Sequence, residues 1–79
     1  MREIKFITTK DCSLCDEGLR KVTLLFSNFF HINEIDVNTY DPNYIFRVPL
    51  VIYKEKILDE GDLSLRKLVM NFIWTSTIR

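Results

Sequence analysis

Glycine and proline are scarce in this 79-residue chain, at two each, and cysteine and histidine are no more common, at two and one. So few breakers, with 47% apolar residues, exclude a disordered or low-complexity segment and require a packed core. No apolar run approaches the roughly 20 residues that cross a bilayer, so a membrane is not an expected partner. Neither sign of charge is in excess. Eleven basic residues balance eleven acidic ones without a like-charge run, which argues against nucleic acid as a partner. Met1-Arg2-Glu3 leads directly into an apolar strand and leaves no room for a secretory leader. Two cysteines without a leader point to a reducing compartment, hence the cytoplasm, where paired cysteines serve redox or metal chemistry more often than structure. Residues 1–79 are read as one small domain.

What is present is strongly patterned. Ile4 to Thr8 is a short β-prone apolar run, a buried strand. From Ser13 the period becomes helical: Leu19, Val22, Phe26, Phe29 and Phe30 recur at three- and four-residue steps. Asp16/Arg20 and Glu17/Lys21 are acid-first i,i+4 pairs. This predicts a helix over Ser13 to Ser27, with the phenylalanines in the core. Ile32 to Val37 is a second strand. Asp41-Pro42 is a cap followed by proline at a first helical position, with room for about one turn of helix. Leu50 to Tyr53 is a third strand, Lys54-Glu55 a turn and Ile57-Leu58 a brief fourth strand. Gly61 breaks the pattern, Asp62 is the expected N-cap, and Leu65, Leu68, Val69, Phe72 and Ile73 follow as the apolar stripe of a last helix. Trp74 to Arg79 is expected to fray, unless Trp74 packs back.

The order β-α-β-(short α)-β-β-α, with parallel pairing through right-handed crossovers and then a hairpin, predicts an α/β architecture. Its four-stranded mixed sheet carries helices on both faces, which is the thioredoxin fold.

The chemistry sits in Cys12-Ser13-Leu14-Cys15, between the first strand and the first helix. Cys12 is placed at a helix N-terminus, which favours thiolate, and Cys15 lies one turn further in, close enough to form a disulfide. Cys12 is expected to be the exposed nucleophile that attacks a substrate disulfide, and Cys15 the more buried resolving thiol. Asp11, Asp16 and Glu17 oppose thiolate formation and Lys10 is the only nearby cation in sequence, so the pKa of Cys12 is expected only modestly below the ~8.5 of a free thiol. Lys10 either steers an anionic partner or is a solvated loop residue. His31, the only histidine, is read as a surface or strand-edge residue; a zinc site made of it and the two cysteines would lack a fourth ligand. Tyr40 and Tyr44 either line the groove or pack the short helix.

Cys12-Ser13-Leu14-Cys15-Asp16, Arg47-Val48-Pro49 and Glu60-Gly61-Asp62, in this order from Ile4 to about Phe72, resemble the small bacterial glutaredoxin-like proteins of the thioredoxin superfamily, whose signature is roughly C-x-L-C-D/E followed by R-V-P. The resemblance implies a dithiol oxidoreductase that reduces disulfides in proteins or small molecules, with Cys12 and Cys15 catalytic. It implies that Lys10, Ser13, Leu14, Val48, Pro49, Gly61 and Asp62 bind substrate or glutathione. It also implies a cis Pro49 whose neighbour Val48 offers its backbone to an extended peptide or to glutathione. Ser13 and Leu14 replace the proline and aromatic of C-P-Y-C, and Glu60 stands where a first glycine is usual. The expected electron donor is therefore glutathione or a flavoprotein thioredoxin reductase. No bound cofactor is expected, and the chain is expected to be a monomer.

Two other classes remain open at this point. One is a metal-binding module, holding a bridging 2Fe–2S iron–sulfur cluster through Cys12 with glutathione, or zinc between two C-x-x-C pairs of a dimer. The other is a non-catalytic adaptor that uses the Val48-Pro49 groove to bind a peptide.

Overall fold

The computed structural model describes residues 3–77, in the order β1 (Glu3–Thr8), α1 (Ser13–Phe26), β2 (His31–Asp36), α2 (Val37–Tyr40), a 3₁₀ turn (Pro42–Tyr44), β3 (Leu50–Tyr53), β4 (Lys56–Glu60) and α3 (Leu65–Thr77). The strands form one mixed sheet in the order β2-β1-β3-β4. β1 and β2 are parallel, joined through α1, while β3 is antiparallel to β1 and β4 antiparallel to β3. Crossover-linked parallel pairing thus holds for β1–β2 alone; β3 enters beside β1 in the opposite direction.

Alternation along the central strands builds two apolar layers. Ile4, Phe6, Val51 and Tyr53 point to the face where α1 and α3 add Val22, Phe26 and Leu68. Ile7, Leu50 and Ile52 point to the other face, covered by Val37 of α2 with Ile35, Tyr44 and Val48 against it. Helices therefore lie on both faces, as expected. The larger layer ends in an aromatic group in which Phe30 meets Tyr53 edge-on at 5.3 Å and Phe72 at 5.5 Å, and Phe26 lies 5.2 Å from Phe72. Such pairs each add about 0.5–1.5 kcal/mol beyond the area they bury.

Several local expectations are corrected. Helix α1 ends at Phe26 with Ser27 as C-cap, and the chain then turns so that Phe30 is buried while Phe29 is 78% exposed; Phe29 is not core. The helical period that grouped it with Phe26 and Phe30 stops one turn earlier. Strand β2 gives up Val37, which starts α2 beneath the cap of Asp36, whose Oδ1 accepts from Asn38 N–H at 2.8 Å. Asp41 caps the next turn, with Pro42 first inside it, as the sequence indicated. Strand β4 is longer than Ile57-Leu58, because Lys56, Asp59 and Glu60 also pair with β3. The Lys54-Glu55 turn has φ of 51° and 64°, a left-handed pair that matches the twist of a two-residue hairpin without glycine or asparagine to ease it.

The last helix starts at Leu65, with Ser64 at the N-cap, where its carbonyl accepts from Leu68 N–H at 2.9 Å. Asp62 is not the cap, since it stands two residues too early. Leu68 is fully buried and Phe72 packs on the core, but Leu65, Val69 and Ile73 are exposed, so the buried stripe is narrower than the periodicity implied. Trp74 to Thr77 continue the helix rather than fray, and Trp74 is 67% exposed rather than packed back. The readings of Met1, Arg2, Ile78 and Arg79 lie outside the described residues.

Candidate functional site: a dithiol at one end of the sheet

Three loops leave the same end of adjacent strands. Ile7 of β1 pairs with Leu50 of β3, and Leu50 pairs with Glu60 of β4. The loop Thr9 to Cys12, the segment Arg47 to Pro49 and the turn Gly61 to Ser64 are therefore neighbours, although far apart in sequence. Asp11 adopts a left-handed φ of 53°, a conformation that aspartate tolerates better than most residues, and this turns the chain into α1.

Cys12 is the N-cap of α1. Its Sγ accepts from the N–H of Cys15 at 3.1 Å. A free amide at a helix N-terminus, directed at sulfur, favours negative charge there. The two cysteines form a disulfide across a Cα–Cα distance of 5.2 Å, within the usual range for such a bond. Cys15 is 2% exposed and Cys12 is half-buried, so only Cys12 faces solvent to an appreciable extent. Ser13 and Leu14 are both exposed beside it.

Val48-Pro49 is a cis peptide. Pro49 is fully buried and Val48 half-buried against the smaller apolar layer. The Pro49 carbonyl accepts from Gly61 N–H at 2.9 Å, so two of the segments singled out in the sequence are bonded to each other. Gly61 has a φ of 69°, which explains glycine at this turn. Asp62 is exposed, and among the described residues its side chain makes no hydrogen bond or ion pair. Lys10 is exposed and is absent from both ion pairs formed among those residues, Arg47–Glu60 and Lys67–Asp59.

Four residues shape this end of the molecule in ways the sequence pattern does not assign: it is silent on Gly18 and Asp59, pairs Lys21 with Glu17, and carries Arg47 only as part of the Arg47-Val48-Pro49 signature. Gly18, one turn beyond Cys15, lets α1 approach the loops: a Cβ there would stand 2.6 Å from Leu63 Cδ1 and 3.2 Å from Pro49 Cγ. Lys21 donates from Nζ to the Leu63 carbonyl at 2.7 Å, fastening the same turn of α1 to the same loop. Asp59 is 8% exposed and accepts from the backbone N–H groups of Glu60 at 2.9 Å and Ser64 at 3.0 Å, so one carboxylate shapes the turn that carries Gly61. Arg47 grips Glu60 with two donors, Nε to Oε2 at 2.9 Å and Nη2 to Oε1 at 2.5 Å, while its guanidinium lies 4.8 Å over the Tyr44 ring. Hydrogen bonding to Arg47 holds the Glu60 carboxyl below the usual carboxylate range and raises Arg47 in turn. A glycine inside a helical pattern was one local sign of these contacts; Asp59 reaches only one and five residues ahead, whereas Lys21 and Arg47 need partners distant in sequence.

Tyr44 packs in the smaller layer and carries Arg47, so packing rather than an open groove accounts for it; Tyr40 is more exposed, 6.0 Å from it between ring centroids. His31 sits on β2, an edge strand, and is exposed, at the far end of α1 from the cysteines. Among the described residues no three histidine, cysteine, aspartate or glutamate side chains gather to hold a metal. The C-x-x-C thus offers two sulfurs, and four-coordinate zinc or a cluster would need further ligands from outside this group. No described helix is long and apolar enough to cross a membrane.

The chain is similar in structure to thioredoxin 1 from the thermophilic eubacterium Thermosipho africanus TCF52B, with a TM-score of 0.64 and 26% identity over 96% of either chain. No family model matches the chain, and no curated protein does. The fold is that of thioredoxin. Together with the C-x-x-C pair at disulfide distance, this likeness points to thiol–disulfide oxidoreductase chemistry.

Proposed function

We propose that the chain is a glutaredoxin-like thiol–disulfide oxidoreductase that reduces disulfides by a dithiol mechanism, acting in a reducing compartment such as the cytoplasm. The observation that carries this reading is the asymmetry of the pair: Cys12 is an N-cap whose sulfur receives an amide hydrogen bond, while Cys15 is buried one turn below. In the reduced protein, Cys12 as thiolate attacks one sulfur of a substrate disulfide. A mixed disulfide forms and the first substrate thiolate leaves. Cys15 gives up its proton and attacks Cys12, releasing the second substrate thiol and leaving the Cys12–Cys15 disulfide. Two electrons have passed to the substrate, and a thiol donor, glutathione or a thioredoxin reductase, returns them. Val48, beside the cis peptide, is the backbone we assign to hold an extended substrate against Cys12. Lys10, Ser13, Leu14, Pro49, Gly61 and Asp62 surround that position in the same reading.

The test is the redox equilibrium of the pair in glutathione buffers, with thiols trapped and products resolved by mass. A two-electron transition passing through a Cys12–glutathione adduct supports the glutaredoxin-like reading. A reversible disulfide without the adduct keeps the oxidoreductase and moves the donor to a reductase. The absence of a disulfide at every poise would overturn the reading and direct attention to metal or peptide binding. As a companion measurement, Cys15→Ser should accumulate the mixed disulfide on Cys12, whereas Cys12→Ser should form none.

A further inference from the structure

The end of the sheet that carries the dithiol holds a cation already occupied by the protein's own carboxylate. Arg47 directly precedes Val48-Pro49, and Glu60 directly precedes Gly61, whose N–H is bonded to the Pro49 carbonyl. The register places Glu60 opposite Leu50, on the face of the sheet where Val48 and Tyr44 pack. The guanidinium is held on two sides, by both oxygens of Glu60 and by the Tyr44 ring. This side-on pair uses two of the five guanidinium N–H donors, and its main consequence is electrostatic: with Glu60 cancelling its charge, Arg47 attracts a second carboxylate only weakly. The remaining charges at this end are Lys10 on its loop and Lys21 on the Leu63 carbonyl, against Asp11, Asp36 and Asp62, with Asp16 and Glu17 in the first turns of α1. With Arg47 and Glu60 cancelling, five carboxylates against two ammonium groups leave the end of the sheet that carries Cys12 net acidic.

We propose that Arg47 and Glu60 form a specificity-determining pair, in which Glu60 takes the place of a substrate carboxylate on Arg47 and so turns the dithiol away from anionic disulfides toward neutral or basic ones. The proposal rests on the oxidoreductase reading above and names the substrate class of that site. It separates two uses of the same chemistry. A small disulfide rich in carboxylates, such as oxidised glutathione, meets an acidic rim whose guanidinium is already neutralised by Glu60. A disulfide flanked by uncharged or basic groups, as in a protein loop, meets no such penalty.

The test follows single turnovers of the pre-reduced protein with three disulfides: oxidised glutathione, uncharged hydroxyethyl disulfide and dicationic cystamine. Each run needs no added donor. Cys12 displaces one thiolate, Cys15 displaces the other, and the products are two thiols and the Cys12–Cys15 disulfide, resolved by mass after quenching. In Glu60→Gln the ratio of the glutathione rate to the hydroxyethyl rate should rise by about 3- to 5-fold, the range of a surface charge interaction, and the gain should shrink at high salt. In Arg47→Gln, where Glu60 stands unpaired, the same ratio should fall below wild type, and the cystamine ratio should move the opposite way. Circular dichroism of both variants checks the fold. A pair that only braces the loop would lower all three rates together in both variants, and that result, or unchanged ratios, overturns the proposal. If wild-type protein reduces none of the three disulfides, the oxidoreductase reading fails and the specificity proposal falls with it. A wild type that reduces hydroxyethyl disulfide, with ratios indifferent to Glu60, sinks the specificity proposal alone.

Discussion

The N–H of Gly61 donates to the Pro49 carbonyl at 2.9 Å, and this bond joins the turn after β4 to the segment before β3 beneath the dithiol. Pro49 also lies against Gly18 of α1, and Leu63 fills the other side of the same contact. The helix that presents Cys12 and the loops that face it are thus packed through one point.

Gly18→Ala tests that point. Alanine in a helix interior is worth about 1 kcal/mol over glycine, but the new Cβ would overlap Leu63 Cδ1 at 2.6 Å and press on Pro49. Leu63 and Pro49 are both buried, so neither has free space to move into, and overpacking of about 1–3 kcal/mol should win. Urea unfolding should show a net loss of about 1 kcal/mol. Leu63→Ala in the same chain should relieve the clash, so the double variant should lose less than the sum of the two singles.

The hairpin turn holds two non-glycine residues in the left-handed region, Lys54 and Glu55, each at a cost of about 1 kcal/mol. Replacing them together by Asn-Gly should raise the stability by about 1–2 kcal/mol, because both new residues accept this conformation more readily. No change in Tm would mean that the turn relaxes to another type.

Phe29 and Phe30 are adjacent and chemically identical, yet one is exposed and the other closes the aromatic group. Phe30→Ala should cost about 3–5 kcal/mol, and Phe29→Ala should stay within about 0.5 kcal/mol of wild type. Equal losses would show that Phe29 is covered in solution.

Glu60 links charge to stability. Its carboxyl is held low by Arg47 in the folded protein, so its contribution is present above the ordinary glutamate pKa of about 4.3 and fades as pH falls through the lower folded value. Arg47 is raised, so its share is complete at every pH below its ordinary value and does not vary in this window. Glu60→Gln should therefore lower Tm slightly at pH 7, and the gap should close in acid. Because the pair is exposed, the effect is small and should weaken with salt. A gap that widens in acid would contradict the assignment.

Much of the architecture follows from local pattern alone. The β-prone apolar runs Ile4 to Thr8 and Leu50 to Tyr53, the helical period after Ser13, the Asp41-Pro42 start and the C-x-x-C at a strand–helix corner are each set by neighbouring residues, and each is found in the fold. The start of the last helix was misplaced because Asp62 and Ser64 are both good caps. The choice between them falls to Asp59, which binds the Ser64 amide from five residues away. Phe29 was misjudged because a period does not report where a helix stops. The central contacts of the site were not legible in the sequence for the same reason. Gly18 against Leu63, Gly61 on Pro49 and Arg47 on Glu60 pair residues from separate elements, and only the antiparallel entry of β3 beside β1 brings those elements to one end of the sheet. Local sequence determined which segments are strands and helices and where the reactive sulfurs sit. Tertiary packing decided what surrounds them, because burial and charge pairing depend on residues that meet only when the sheet has formed.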